Sequence, residues 1–181
     1  MTRWLAPILS FTAEEIWRNL PGERGPSVFL ATWYSGLFAV GESDPFGAVY
    51  WDRLLAVREA VSKELEKLRV AGGIGSGLDA EADLYCDGAL AADLGKLEDE
   101  LRFFLITSYA RLHPLATRPA EAVEFQVNGQ PLAIRVSPSA HGKCVRCWHH
   151  REDVGRNAEH PELCGRCVNN AFGAGEKRRF A

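Results

Sequence analysis

No apolar run in this 181-residue chain approaches the roughly 20 residues that a membrane helix needs; runs such as Phe103 to Ile106 stop after a few positions. No membrane segment is expected. A global excess of basic charge is also missing: 21 Lys and Arg face 24 Asp and Glu, a net of −3 with neutral His. The chain as a whole is therefore not a basic nucleic-acid binder. Low-complexity tracts are absent apart from one glycine run. A composition of 46% hydrophobic and 25% charged residues excludes disorder and collagen. There is no dispersed, even set of cysteines of the kind that staples secreted domains. Four of the five form two CxxC pairs near the C-terminus, and Cys86 stands alone. Paired CxxC points to metal ligation in a reducing compartment, so a cytoplasmic location is expected. A nucleophile elbow, an HExxH helix and an EF-hand loop are all lacking. The carboxylate pairs Glu14-Glu15 and Asp99-Glu100 read as solvated helix faces. No catalytic centre is read from the residues.

What is present falls into an α+β, multi-module pattern with breaks near 71 and 141. Residues 1–140 carry 13 Lys and Arg against 19 Asp and Glu, net −6, whereas 141–181 carry 8 against 5, net +3, and four of the five histidines. The N-terminal segment faintly resembles a signal peptide, but Pro7 interrupts it and Ile16, Trp17 and Leu20 continue an amphipathic pattern. A helix over 3–20 is expected, broken near Ser10, with Thr12 and Glu15 as a capping box. Residues 23–50 lack helical period and read as loop. A second helix over 51–69 places Trp51, Leu54, Leu55, Val61, Leu65 and Leu68 at helical spacing. The stretch GGIGSG at 72–77 ends it. This stretch lacks the GK[ST] and GxGxxG patterns and follows a helix, so a joint is preferred over a phosphate loop.

Ala82, Leu84 and Cys86 alternate as a strand, and Cys86 reads as a small buried hydrophobe. Leu90, Leu94, Leu97 and Leu101 form one helical stripe over 90–102. A strand is expected from about Phe104, given Ile106, Thr107 and Tyr109. A hairpin follows: Val123, Phe125 and Val127, the turn Asn128-Gly129, then Leu132, Ile134 and Val136, with Pro138 closing it.

The most specific signal is Cys144-Val-Arg-Cys147 and Cys164-Gly-Arg-Cys167, a C-x2-C-x16-C-x2-C pattern. Each two-residue spacer lets both sulfurs of a knuckle reach one metal, and the long insert closes the tetrahedron. Gly165 is read as allowing a tight turn. Four thiolates leave no open position, so the expected group is one structural Zn2+ whose binding energy is folding energy. A redox dithiol and a site in which His149, His150 or His160 replaces one cysteine are the alternatives. The same segment carries Arg146, Trp148, Arg151, Arg156, Arg166, Lys177, Arg178 and Arg179. Cations around an exposed aromatic suit single-stranded RNA through phosphate contact and base stacking. The bland alternative is that Trp148 packs on the knuckle as a mini-core.

In order along the chain, LAPILSFTAEEIW, WDRLLAVREAVSKELEKLR, DELRFFLITS and the final KCVRCWHHREDVG…LCGRCV…GEKRRFA resemble the C-terminal part of bacterial isoleucyl-tRNA synthetase. The resemblance covers essentially the whole chain, and its last block is the most specific. It implies three pieces: the last helices of a class I anticodon-binding bundle over 1–70, a small α/β junction module over 71–140, and a zinc ribbon or knuckle over 141–181. It implies a function in binding the anticodon arm of tRNA(Ile), with the remainder of the synthetase as the second partner. Zinc ligands fall on Cys144, Cys147, Cys164 and Cys167, and RNA contacts on Arg146 and Trp148. Arg166, Lys177, Arg178 and Arg179 are further RNA candidates. The catalytic and editing regions of that family find no counterpart here. ATP is then expected only in the full-length enzyme, with no catalysis by this chain alone. Where the family has a Lys-Ile-Gly-x-Ser-Leu type of turn, this chain has Gly73-Ile74-Gly75-Ser76-Gly77-Leu78. A four-cysteine DNA-repair glycosylase module and a free-standing RNA- or protein-interaction module are the competing readings.

Overall fold

The structure is a computed structural model and describes residues 1–37, 39, 41 and 44–178. The chain divides into two compact units, 1–42 and 43–181. In the first, helix α1 (Thr2–Leu5) and helix α2 (Ser10–Asn19) are separated by Pro7, whose missing N–H stops α1. Helix α2 begins earlier than the Thr12 capping box predicts. Ala13 N already donates to Leu9 O, so Thr12 lies inside the helix and no side chain caps it. Ala6, Ala13, Trp17 and Val28 form a small core. Glu14 is not a solvated carboxylate. It accepts from Ser27 Oγ at 2.9 Å and Val28 N at 3.0 Å and so ties the loop to α2.

In the second unit, helix α3 (Ala48–Val70) lies on one face of a four-stranded sheet. The strands are β1 (Ala80–Tyr85), β2 (Tyr109–His113), β3 (Val123–Val127) and β4 (Gln130–Pro138), in the spatial order β2-β1-β4-β3. β1 and β2 are parallel, and the other pairs are antiparallel. Leu54, Val57, Ala60 and Val61 of α3 share one core with Leu84 of β1 and Ile134 of β4. Leu55, expected beside Leu54 on the apolar stripe, is 51% exposed. The helix ends in a Schellman motif: Gly73 N donates to Leu68 O, Gly72 N donates to Arg69 O, and Gly72 adopts φ +78°.

The crossover from β1 to β2 holds helix α4 (Gly88–Gly95) and helix α5 (Leu101–Leu105). Leu90, Leu94, Leu97 and Leu101 are all buried, as their spacing predicts. They do not share one helix, because the chain breaks at Glu98, which adopts φ +50°. The expected strand start at Phe104 is replaced by helix. Ile106 takes the left-handed conformation at φ +57° and caps α5, and pairing begins only at Tyr109. The hairpin at Asn128-Gly129 forms as expected, with φ of +50° and +76°. On the second sheet face, Arg111 sits between the carboxylates of Glu81 and Asp83. Beyond β4 come a two-stranded ribbon, β5 (Gly142–Lys143) and β6 (His150–Arg151), and helix α6 (Gly165–Phe172).

Candidate metal centre

Two short segments supply the sulfurs. Cys144 follows β5, and Cys147 closes the same turn. Cys164 immediately precedes α6, and Cys167 lies in its first turn. The ribbon closes by Cys144 N donating to His149 O and Trp148 N donating to Cys144 O, both at 2.9 Å. Gly165 adopts no special dihedral, and what its missing Cβ leaves room for is the end of the Asp153 side chain. A Cβ there would stand 2.8 Å from Asp153 Oδ2, the atom that accepts from Gly165 N.

All four sulfurs lie within 4.8 Å of one another, and Cys147 Sγ is 3.7 Å from Cys164 Sγ. Sulfurs at ~2.3 Å from a tetrahedral zinc are about 3.8 Å apart, so Cys147 and Cys164 already stand at that spacing and the whole set lies within about 1 Å of it. Cys144, Cys164 and Cys167 are buried and Cys147 half-buried. Burial raises the Cys144 thiol, but the N–H groups of Cys147, Cys164 and Arg146 outweigh it and hold that thiol at about 6. Burial pushes Cys147 and Cys164 upward. Thiolate charge in so small a space calls for a cation, and a divalent ion supplies it. The four sulfurs form a donor set suited to one structural Zn2+ with no open position. The cysteines form their own apolar cluster with Val154 and Leu163.

The histidine alternatives are turned elsewhere. His149 is buried with Nδ1 3.1 Å from Cys147 O, and its ring stands edge-on to Phe103. Burial, with Arg102 beside it, lowers His149 to about 4, so the ring is neutral and Nδ1 donates to that carbonyl. His150 meets His141 O and Asp79, and His160 stacks on Phe172 at 3.9 Å.

The RNA candidates fall into two groups. Arg146 and Trp148 share the exposed tip of the first knuckle with Val145. Arg146 Nη1 also points at Cys167 Sγ, 3.6 Å away. Trp148 is 62% exposed and adopts φ +64°, so it is no mini-core residue. Arg166 and Arg178 sit instead around Phe103 of α5, with guanidinium carbons 4.8 Å and 4.5 Å from the ring centroid. Both donate to Glu176, Arg166 through two bonds of 2.7 Å and 2.8 Å. Lys177 is exposed. Arg179 lies outside the described residues. Sequence reasoning did not single out Glu176, Phe103 or Asp79. Lys143 and His150 lie 64 and 71 residues from Asp79, so only its capping box with Ser76 is open to local reading, whereas the partners of Glu176 are two to ten residues away.

The fold sets a small helical unit in sequence before a mixed α/β unit and a four-cysteine cluster. Residues 1–84 match the family described as anticodon-binding domain of tRNA ligase, and residues 142–170 match the zinc finger found in FPG and IleRS. The particular likeness is to bacterial isoleucine–tRNA ligases, in their C-terminal region. The chain is 60% identical over 182 residues to that of Thioalkalivibrio sulfidiphilus and 60% identical over 181 residues to that of Nitrosococcus oceani. It is 54% identical over 181 residues to that of Pseudomonas aeruginosa. Each match covers 100% of this chain and 19% of the relative. The chain thus spans about a fifth of the length of the curated relatives it matches.

Proposed function

We propose that this chain is the tRNA-binding C-terminal portion of an isoleucine–tRNA ligase, working in a reducing, cytoplasmic compartment. It holds the anticodon arm of tRNA(Ile) while ATP-dependent aminoacylation takes place elsewhere in the full-length enzyme. Residues 1–70 are then the end of the anticodon-binding bundle, 71–140 the junction, and 141–181 the zinc module. One observation carries the reading: a four-thiolate centre presents Arg146 and an outward Trp148 side by side, in a chain whose first half matches an anticodon-binding domain. Zinc fixes the knuckle. Trp148 offers a flat face for an unstacked base, and Arg146 and Lys177 offer charge to phosphate. Arg166, Arg178 and Arg179 complete the proposed contact set. For Arg166 and Arg178, contact would require sharing with Glu176.

The unit 1–42 exposes Ile8 at 79%, Phe11 at 94% and Trp33 at 66%. Apolar side chains so bare support a protein partner, read here as the remainder of the synthetase. They also favour the second reading, a free-standing zinc-dependent RNA- or protein-interaction module.

The test is titration of the zinc-loaded chain with the anticodon stem-loop of tRNA(Ile) and with that of a different tRNA. Tighter binding of the first is expected, weakening steeply with salt. Cys144→Ser should lose zinc, unfold 141–170 and weaken binding at least ten-fold. Unchanged affinity in the zinc-free variant would overturn the reading.

A further inference from the structure

The glycine-rich stretch at 72–77 cradles a carboxylate of its own chain. Gly75 N and Ser76 N donate to Asp79 Oδ2 at 3.1 Å and 2.8 Å, and Ser76 Oγ lies 3.2 Å from the same oxygen. Gly77 is needed for this geometry, because a Cβ on it would stand 2.6 Å from Ile106 O. The other carboxylate oxygen leaves the loop. Asp79 Oδ1 accepts from Lys143 Nζ at 2.9 Å and lies 3.3 Å from His150 Nε2. The main chain adds a bond from Ser139 N to Asp79 O at 2.8 Å.

Lys143 is the last residue of β5 and immediately precedes the ligand Cys144. His150 opens β6, three residues after the ligand Cys147. Asp79 therefore grips the first zinc knuckle at both of its ends. The grip matters because, beside the His149 ring edge-on to Phe103 and the Arg151 guanidinium over the Tyr109 ring, the other attachments of the ribbon are also polar. His150 N donates to Ser108 Oγ at 2.6 Å, Arg151 Nη1 donates to Ser108 O at 3.3 Å, and Glu152 N donates to the Tyr109 hydroxyl at 3.2 Å. The apolar cluster around the cysteines and the apolar core of the sheet have no member in common. Apolar packing is non-directional, whereas a carboxylate shared between two donor sets fixes an angle.

We propose that Asp79 is a positioning residue: it locks the ribbon β5–β6 to the 75–79 turn and so sets the direction in which the Arg146–Trp148 tip faces. The consequence for RNA rests on the function proposed above; the lock itself does not. Surrounding hydrogen bonds, with that of Lys143 the largest, hold the Asp79 carboxyl well below the ordinary carboxylate range.

The test uses the zinc-loaded chain and its Asp79→Ala, Asp79→Asn and Lys143→Met variants, followed by amide hydrogen exchange, zinc content and stem-loop titration. In Asp79→Ala, amides over 139–151 should exchange roughly ten-fold faster or more, the scale of a lost charge-assisted bond. Protection at Leu84 and Ile134 and a zinc-to-protein ratio of one should be kept, and stem-loop affinity should fall by roughly ten-fold. Lys143→Met should act in the same direction. The double variant Asp79→Ala/Lys143→Met should be little worse than Asp79→Ala, because the two residues share one interaction. Asp79→Asn, which keeps the shape of the side chain, should fall between wild type and Asp79→Ala. Unchanged exchange over 139–151 would overturn the lock. So would a loss of protection spread equally through the sheet core, which marks general destabilisation. A fall in affinity with unchanged exchange would make Asp79 a direct RNA contact and would also overturn it. If the unaltered chain fails to bind the stem-loop, the RNA reading falls, and exchange over 139–151 still decides the lock.

Discussion

At the scale of single residues, the first knuckle combines two roles in neighbouring positions. Trp148 holds a left-handed backbone at φ +64° while keeping 62% of its surface bare. A bulky residue in that region costs roughly 1–3 kcal/mol, and glycine would avoid the cost. Exposed strain of this kind points to a task for the ring outside the fold. Arg146 has an inward contact as well: its guanidinium donates to the Cys167 sulfur. Charge donated to a ligand sulfur strengthens the hold on the metal, and losing such a partner typically costs ten-fold or more in affinity. The two side chains should separate cleanly. Trp148→Gly should stabilise the zinc module by about 1 kcal/mol yet weaken stem-loop binding by about 1–3 kcal/mol. Arg146→Gln should give up zinc to a competing chelator roughly ten-fold more readily, with Arg146→Lys intermediate. Equal zinc retention in Arg146→Gln and wild type would mean that the bond to the Cys167 sulfur does not help to hold the metal.

At the scale of elements, helix ends decide where sequence reasoning succeeds. The Schellman cap of α3 and the Asn128-Gly129 turn use glycine or asparagine at positive φ, and both are legible from the residues. The stripe Leu90, Leu94, Leu97 and Leu101 marks the buried face even though the helix breaks within it. Ile106 defeats the same logic. A β-branched residue reads as strand, but here it ends α5 in the left-handed region, because Thr107 N reaches back to Arg102 O at 2.9 Å. The cysteine ligands are legible because their spacing is short and regular. Asp79 is not, because Lys143 and His150 lie 64 and 71 residues away. Gly77 gives the element-scale prediction. Its missing Cβ leaves room for the Ile106 carbonyl, so Gly77→Ala should destabilise the second unit by about 1–3 kcal/mol. Denaturant unfolding followed by tryptophan fluorescence reads this. A midpoint equal to wild type would mean that the α5 cap can shift freely away from the turn.

At the scale of the whole molecule, acidity should loosen the C-terminal stretch through one carboxylate. Glu176 is bonded to two guanidiniums, and its own N–H donates to Asn170 Oδ1 at 2.6 Å. This folds residues 174–178 back onto α6 and sets Arg166 and Arg178 around Phe103. The Arg166 guanidinium, opposed by burial and reinforced by Arg178 and Asn170, holds the Glu176 carboxyl down at about 2, against an ordinary value near 4.5. A carboxyl lowered by folding contributes stability that is fully present above its unfolded value. That stability is lost as pH falls from about 4.5 toward 2. Glu176→Gln should therefore be less stable than wild type near neutral pH, and the gap should close across that interval. Protonation of the zinc ligands releases metal as pH falls and unfolds the helix that carries Arg166 and Asn170, so the gap is read only over the pH steps at which both proteins retain zinc. Unfolding midpoints of the pair at neutral pH and in steps below 4.5 measure the gap. A gap that stays constant down to the lowest pH would mean that Glu176 contributes through packing alone. The arginines around Phe103 would then be held by the ring and not by the carboxylate, which would leave them available to phosphate.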